Sequence, residues 1–121
     1  PKVAELAARP AASILFYDRT ARIQLRFTGT VTLHTDDALA DARWAASRHS
    51  SRLCYLAPLG STTAVPAPPP APDADDDSPG RANFAVLAFH AATLEHLHLA
   101  HTGHERLRLT YPSLASTWLT P

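Results

Sequence analysis

From residue 21 to residue 33 the chain alternates between hydrophobic and polar residues without a break. The odd positions are Ala, Ile, Leu, Phe, Gly, Val and Leu, and the even positions are Arg, Gln, Arg and Thr. Successive side chains of an extended chain point to opposite faces, so this pattern predicts one long, half-buried strand. Gly29 inside the run is typical of a bent barrel strand. The polar face around Gln24 meets either water or a ligand, and the alternation by itself leaves both open.

The remaining patterns predict two helices and several more strands. The segment KVAELAARP predicts a short helix that ends at Pro10, and ASILFYD predicts a strand followed by a tight turn at Asp18–Thr20. The acidic start of DDALADARWAAS predicts a helix capped by Thr35 or Asp36, and RLCYLAPLG is typical of a helical turn that runs into a loop. Strand patterns return in NFAVLAFHA, LEHLHLA, ERLRLTY and STWLTP, with Gly103 suited to a hairpin turn.

This order of elements predicts a mainly β fold with flanking helices, in which an antiparallel barrel or sheet carries helices on its outside. A length of 121 residues suits a single domain over 1–121. Residues 62–80 consist mostly of Pro, Ala, Asp, Ser and Thr, which predicts a disordered surface loop. Because the chain starts at Pro1 and contains no Met, we expect the first elements of the domain to be missing.

Composition excludes several functional classes. The formal net charge is zero, which argues against a generic nucleic-acid binder, and no apolar run approaches the roughly 20 residues of a membrane helix. The single cysteine, Cys54, excludes an internal disulfide and suits a reducing cytoplasm. Four of the eleven acidic residues lie in the predicted loop, so the rest of the chain carries a basic excess. That excess suits either an anionic small ligand or an ordinary solvated surface.

Four histidines near the C-terminal end, His96, His98, His101 and His104, are the first candidates for chemistry. Strand and hairpin geometry makes a metal site sterically possible, but no carboxylate or cysteine completes a recognised ligand spacing. The polar face of a hairpin explains them better, so no metal site is predicted. The chain also has no Gly-rich phosphate loop and no readable nucleophile and base, so no catalytic residue is assigned.

Isolated polar residues on predicted helices and strands are the remaining candidates. Lys2 opens the first helix, Gln24 lies in mid-strand, and Arg106 and Arg108 alternate on a late strand. Lysine and arginine are good phosphate ligands, and a glutamine amide can pair with the edge of a flavin-type ring. Solvated strand surface is the alternative explanation for each residue taken alone.

The segment KVAELAARPAASILFYDRTARIQLRFTGTV resembles the pyridoxamine 5′-phosphate oxidase family of FMN-binding split barrels. Lys2 stands eight residues before Pro10, as the phosphate-contacting lysine of that family does, and Gln24 stands five before Gly29, as its flavin-contacting glutamine does. The C-terminal ERLRLTY…STWLTP resembles the closing stretch of the family. The chain is most similar to the FMN-binding subgroup with an apolar segment like CYLAPLG after the middle helix, rather than to true pyridoxamine phosphate oxidases.

The resemblance implies an FMN-binding split β-barrel whose N-terminal strands would precede Pro1. It also implies a cytoplasmic homodimer with FMN at the subunit interface. Where the family has a tryptophan on the penultimate strand, this chain has Leu97 or His98. The residues that the resemblance places against the cofactor are Lys2, Gln24, Ser61 and Arg108, and those it places near a substrate are Trp44, Arg48, Ser51 and Arg106.

The resemblance implies an FMN-dependent oxidoreductase, and the composition argues against binding to nucleic acid or membrane. The alternative is a ligand-binding or dimerisation barrel without enzymatic activity that has lost its flavin.

Overall fold

A computed structural model of the chain describes residues 2–60 and 62–121. Its helices and strands are, in chain order, α1 (Lys2–Ala8), β1 (Ala11–Asp18), β2 (Ile23–His34), α2 (Ala38–Ala46), α3 (His49–Arg52), β3 (Val86–His98), β4 (Glu105–Thr110) and β5 (Ala115–Leu119). Two short 3-10 helices, Leu53–Leu56 and Ser78–Asn83, lie between α3 and β3. In these residues, no helix is long and apolar enough to cross a membrane.

The residues form two compact units. The helical unit contains the residues up to Ala7 together with Leu33–Ala88, and the sheet unit contains Ala8–Thr32 together with Phe89–Pro121. The helical unit therefore holds α2, α3, both 3-10 helices and all of α1 except Ala8, and the sheet unit holds β1, β4, β5 and most of β2 and β3.

The strands form one antiparallel sheet in the order β1-β2-β3-β4-β5, which confirms the predicted mainly β fold with flanking helices. In the part of the chain that the structure describes, β1 and β5 are the two edges, so the predicted barrel is open. The segments NFAVLAFHA and LEHLHLA, which were predicted as separate strands, form the single strand β3 of 13 residues. The two residues between the segments, Ala92 and Thr93, are not the Gly, Pro, Asn or Asp residues that favour a turn, so the strand continues through them.

The two predicted turns of the sheet unit have identifiable causes. One carboxylate oxygen of Asp18 accepts the backbone N–H groups of Thr20 and Ala21, at 2.8 and 3.0 Å, and this closes the turn between β1 and β2. Gly103 has a φ of 138° between β3 and β4, a conformation that L side chains rarely adopt, so glycine is the suitable residue there.

The helical unit is built around three aromatic rings. Trp44 of α2, Tyr55 and Phe84 meet edge to face, with ring centroids 5.3 to 5.8 Å apart. The cap of α2 is Asp37 rather than the predicted Thr35 or Asp36. The Asp37 carboxylate accepts the N–H of Ala40 at 2.9 Å, which satisfies a donor that the first helical turn leaves open.

Residues 62–77, inside the predicted disordered loop, contain no helix or strand. The end of this segment is held by charged contacts. The Asp77 carboxylate accepts hydrogen bonds from the His49 ring at 2.6 Å and from the Arg52 guanidinium at 2.8 Å. Gly80 then packs against Trp44 and Tyr55. The four-aspartate segment therefore contributes a specific contact to the helical unit.

Candidate functional site

The register of the sheet brings three of the predicted site residues to one face. Thr28 of β2 and Thr93 of β3 have their hydroxyl oxygens 2.5 Å apart, and residues opposite each other in antiparallel strands share a face. Gln24 is four residues from Thr28, and side chains two or four residues apart on a strand share a face, so Gln24 lies on this face as well. We call it the polar face.

The pairing of β3 with β4 adds the two arginines to the polar face. Thr93, Glu95 and Leu97 lie on one side of β3, and Glu95 is opposite Arg108 while Leu97 is opposite Arg106. Strands in a sheet are about 4.8 Å apart, so β2 and β4, with β3 between them, are separated by about 10 Å. The Gln24 amide and the two guanidinium groups are thus carried on one surface of ligand-like dimensions.

Glu95 organises the centre of the polar face. Its side chain is 11% exposed, and its two carboxylate oxygens accept hydrogen bonds from both arginines. Nη2 of Arg106 donates at 2.6 Å, and Nε and Nη2 of Arg108 donate at 3.0 and 2.6 Å. Hydrogen bonds between ionised partners are about twice as strong as neutral ones, so the two arginine side chains are held firmly in place.

These contacts make the stability of the sheet unit sensitive to acid. The guanidinium groups of Arg106 and Arg108 hold the pKa of the Glu95 carboxyl below its ordinary value of 4.5, although burial acts in the opposite direction. A group whose pKa is lowered by folding stabilises the fold above its unfolded pKa, and this stabilisation disappears as the pH falls through its folded pKa. We therefore expect the melting temperature to fall more steeply in the wild type than in Glu95→Gln as the pH falls below 4.5.

The matched control for this pH profile is Glu105→Gln. Glu105 lies on the neighbouring strand opposite His98, and in the described residues both arginines form their ion pairs with Glu95. That variant should keep the wild-type slope. Identical acid slopes for the wild type and Glu95→Gln would show that the arginine contacts of Glu95 do not stabilise the folded chain.

Gln24 itself is half-buried, and its partner across β1 and β2 is Tyr17. Within residues 2–60 and 62–121 no hydrogen bond to its side-chain amide is found, so both its donor and its acceptor are available to a ligand. Arg22, the nearest arginine before it, lies outside β2 in the turn and has a φ of 54°.

A cavity of about 780 Å³ lies in the helical unit. Its lining includes Lys2, Tyr55 and Asn83 and the segment 57–60. Known small-molecule sites have volumes of about 300–1,000 Å³, so this cavity is large enough for a cofactor-sized group. Ser61 lies outside the described residues, but its neighbours Gly60 and Thr62 both line the cavity.

The predicted substrate residues lie in different surroundings. Trp44 is only 9% exposed in the aromatic core of the helical unit, whereas Arg48 and Ser51 are exposed at the start of α3. The N–H of Ser51 donates to the carbonyl of Arg48 at 3.0 Å, so these two residues share one helical turn. Arg106 belongs to the polar face. Contacts of a substrate with these four residues remain predictions.

Glu95 is the residue of the polar face that the sequence reasoning missed. The sequence feature that could have indicated it is the single acidic residue in the strand segment LEHLHL, which is followed by a strand with two arginines at alternate positions. The histidines on either side lie on the opposite face, where His96 is opposite Leu107 and His98 is opposite Glu105. The described residues contain no group of three or more His, Cys, Asp or Glu side chains placed to hold a metal ion.

Comparison with solved structures places this fold among known proteins. A pyridoxamine 5′-phosphate oxidase-related, FMN-binding protein from Nostoc punctiforme is similar with a TM-score of 0.72 and 23% identity, over 99% of this chain and 68% of that chain. PhzG from Burkholderia lata, solved with tetrahydrophenazine-1-carboxylic acid, is similar with a TM-score of 0.71 and 18% identity, over 99% and 63% of the two chains. No family model and no curated protein sequence matches. The predicted resemblance is therefore confirmed as a shared fold, the split barrel of pyridoxamine 5′-phosphate oxidase-like proteins.

Proposed function

We propose that this chain is an FMN-binding protein and acts as an FMN-dependent oxidoreductase of the pyridoxamine 5′-phosphate oxidase-like type. The observation that carries the proposal is the fold, which is shared over 99% of this chain with a protein described as FMN binding. The chain spans 68% and 63% of the two similar structures, so the activity of a complete protein is part of the proposal.

The donors and acceptors of the polar face fit a flavin ring. A flavin ring edge offers both hydrogen-bond donors and acceptors, and the Gln24 amide can satisfy one of each. Arg108 adds a cation on the same face, and 44% of its side chain remains exposed beside Glu95. We assign Gln24 and Arg108 to the flavin, and Arg106 to a substrate bound against it.

Lys2 and its cavity fit the phosphate end of FMN. Lys2 is the sole lysine of the chain, and its compact ammonium group is a point charge suited to a phosphate. Thr62 also lines this cavity, and a threonine hydroxyl can act as a further donor. We assign Lys2 to the phosphate, with Ser61 as its partner.

The role of the chain is to bind and orient, since FMN when bound supplies the hydride-transfer chemistry. Gln24 would fix the ring through paired hydrogen bonds, and the arginines would supply positive charge near it. Arg48 and Ser51, exposed at the start of α3, are proposed substrate contacts together with Trp44. No residue is assigned as an acid or a base.

We further propose that the protein is a cytoplasmic homodimer with FMN at the interface. Among the described hydrophobic residues, only Ala40 and Trp44 are buried, whereas the four consecutive side chains 14–17 of the edge strand β1 are exposed. Trp118 of the other edge strand is 70% exposed. Apolar surface of this extent on a small domain is typical of a surface that another chain covers. Analytical ultracentrifugation that gives only monomer would contradict the dimer.

The binding test compares two leucine substitutions on one face of β2. In Gln24→Leu the flavin loses an amide partner, and ring atoms that stay unpaired cost about 1–3 kcal/mol of FMN binding free energy. In Thr30→Leu, an exposed position on the same face of the strand, we expect unchanged affinity. The measurement is quenching of flavin fluorescence during titration, together with the visible absorbance of the purified wild-type protein.

Two results would contradict this proposal. If the wild-type protein neither purifies with flavin nor binds added FMN, the alternative of a barrel that has lost its flavin is supported. Leu97 or His98 at the position where the resemblance expects a tryptophan agrees with that alternative. If Gln24→Leu and Thr30→Leu weaken FMN equally, the polar face of β2 is not the flavin site.

A further inference from the structure

The Glu95 carboxylate is paired with more positive charge than is required to neutralise its single negative charge. A single carboxylate pairs with two guanidinium groups, those of Arg106 and Arg108, which are 31% and 44% exposed. One arginine is sufficient to balance the charge of a buried carboxylate, and a second adds repulsion between two cations. The cluster therefore has a net positive charge that a further anion would offset.

Most N–H donors of the two arginines are left for such an anion. Only Nη2 of Arg106 and Nε and Nη2 of Arg108 donate to Glu95. Elsewhere in the described chain, no other hydrogen bond to either guanidinium group is found. The planar fork of arginine matches the oxygen pairs of carboxylate and phosphate groups, so the remaining donors suit an oxyanion.

The charged side chain nearest to Arg106, Arg108 and Glu95 on the neighbouring strand is also positive. The register of β2 and β3 places Arg26 on the polar face, one strand beyond Glu95. The acidic strand residues Asp18 and Glu105 lie on the opposite face, since Asp18 is opposite Ile23 and Glu105 is opposite His98. Among the described strand residues, Glu95 is the sole acid of this face.

We infer that Glu95 is a positioning residue that holds Arg106 and Arg108 as a paired site for an oxyanion, a carboxylate or a phosphate, of a small ligand. Glu95 acts through the arginines and does not touch the ligand. Side chains that are already ordered lose less conformational entropy when a ligand binds, so the restraint by Glu95 strengthens binding. The inference adds to the proposed function that Arg106 and Arg108 act together on one oxyanion, which can belong to FMN or to a second, anionic ligand.

The test uses the full chain without flavin, labelled with ¹⁵N, and follows the Nε–H signals of its arginines by NMR. Sodium phosphate and benzoate are titrated separately at constant ionic strength. The signals of Arg106 and Arg108, identified by their loss in Arg106→Gln and Arg108→Gln, should shift and saturate. The signal of Arg19, an exposed arginine in the turn after β1, is the internal control. Shifts at the pair no larger than at Arg19 with both anions would overturn the inference.

The Glu95→Gln variant distinguishes a positioning role of Glu95 from a purely electrostatic role. The substitution removes a negative charge, so a purely electrostatic role for Glu95 predicts tighter anion binding in the variant. Positioning predicts the reverse, with binding of the same anion weaker by about tenfold, because arginine side chains that Glu95 no longer orders lose more conformational entropy when the anion binds. Unchanged or tighter binding overturns the positioning role. If Glu95→Gln does not fold, as judged by circular dichroism, Arg106→Gln and Arg108→Gln still test the site, and each should weaken anion binding to a similar extent while Arg19→Gln does not.

Titrations with FMN and with riboflavin, which lacks the phosphate, identify the source of the oxyanion. If Arg106→Gln weakens FMN but not riboflavin, the site holds the phosphate of the cofactor. If it weakens benzoate and leaves both flavins unchanged, the site holds a second ligand. Saturating shifts with phosphate or benzoate in a protein that binds no FMN would support this inference while the proposed function fails.

Discussion

Replacing Trp44 by alanine is expected to lower the free energy of unfolding by about 3–5 kcal/mol, the range for a large aromatic side chain removed from a core. Trp44 packs its ring against those of Tyr55 and Phe84, with centroids 5.8 and 5.4 Å away, and the guanidinium of Arg52 lies over it at 5.5 Å. Gly80 is buried beside the same ring, since a Cβ atom added there would lie 3.1 Å from Cη2 of Trp44. The substitution therefore empties the centre of the helical unit, which its short helices cannot refill.

The matched control is Arg43→Ala, the neighbouring exposed position of the same helix. Exposed substitutions of this kind usually change stability by less than about 0.5 kcal/mol. Urea unfolding followed by circular dichroism measures both variants without depending on the fluorescence of the removed tryptophan. Trp44→Phe should recover part of the loss, because the edge-to-face contacts are retained. Similar losses for Trp44→Ala and Arg43→Ala would show that the aromatic cluster is not the core.

Replacing Gly29 by alanine is expected to destabilise the sheet by about 3 kcal/mol or more, at the upper end of the cost of overpacking. A Cβ atom at Gly29 would collide with the backbone carbonyl of His90 on the neighbouring strand, and it would also press on the backbone of Ala91. Backbone atoms cannot rotate away as a flexible side chain can, so the two strands would have to separate locally.

Gly60→Ala serves as the control for the same change of residue. A Cβ at Gly60 would have only the Thr63 hydroxyl oxygen near it, at 3.9 Å, which is ordinary van der Waals contact. Thermal unfolding and the yield of folded protein measure both variants. Equal melting temperatures for Gly29→Ala and the wild type would mean that β2 and β3 do not approach each other as closely as the structure has them.

Local features of the chain were predictable from the sequence, because short-range geometry determines them. The alternation in β2 extends over the strand that the structure contains, since a polar-hydrophobic period of two is a property of extended backbone. Gly103 marks its turn because its φ is unfavourable for other residues. The predicted cap of α2, Thr35 or Asp36, lies one or two residues before the observed cap, Asp37. Each of these three neighbouring polar residues can cap a helix, and only the folded backbone selects Asp37.

The composition of the polar face depended on the tertiary structure. Alternation shows that Gln24 and Arg108 each lie on a polar side of their own strand, but the two could equally have faced opposite sides of the sheet. The pairing of β2 with β3 and of β3 with β4 decides this, because a register shift of one residue moves every side chain of a strand to the other face. The same pairing brought Glu95 between Arg106 and Arg108, a contact between residues that are 11 and 13 positions apart. Sequence periodicity therefore determined which residues each strand presents, and hydrogen bonding between strands decided which of them meet.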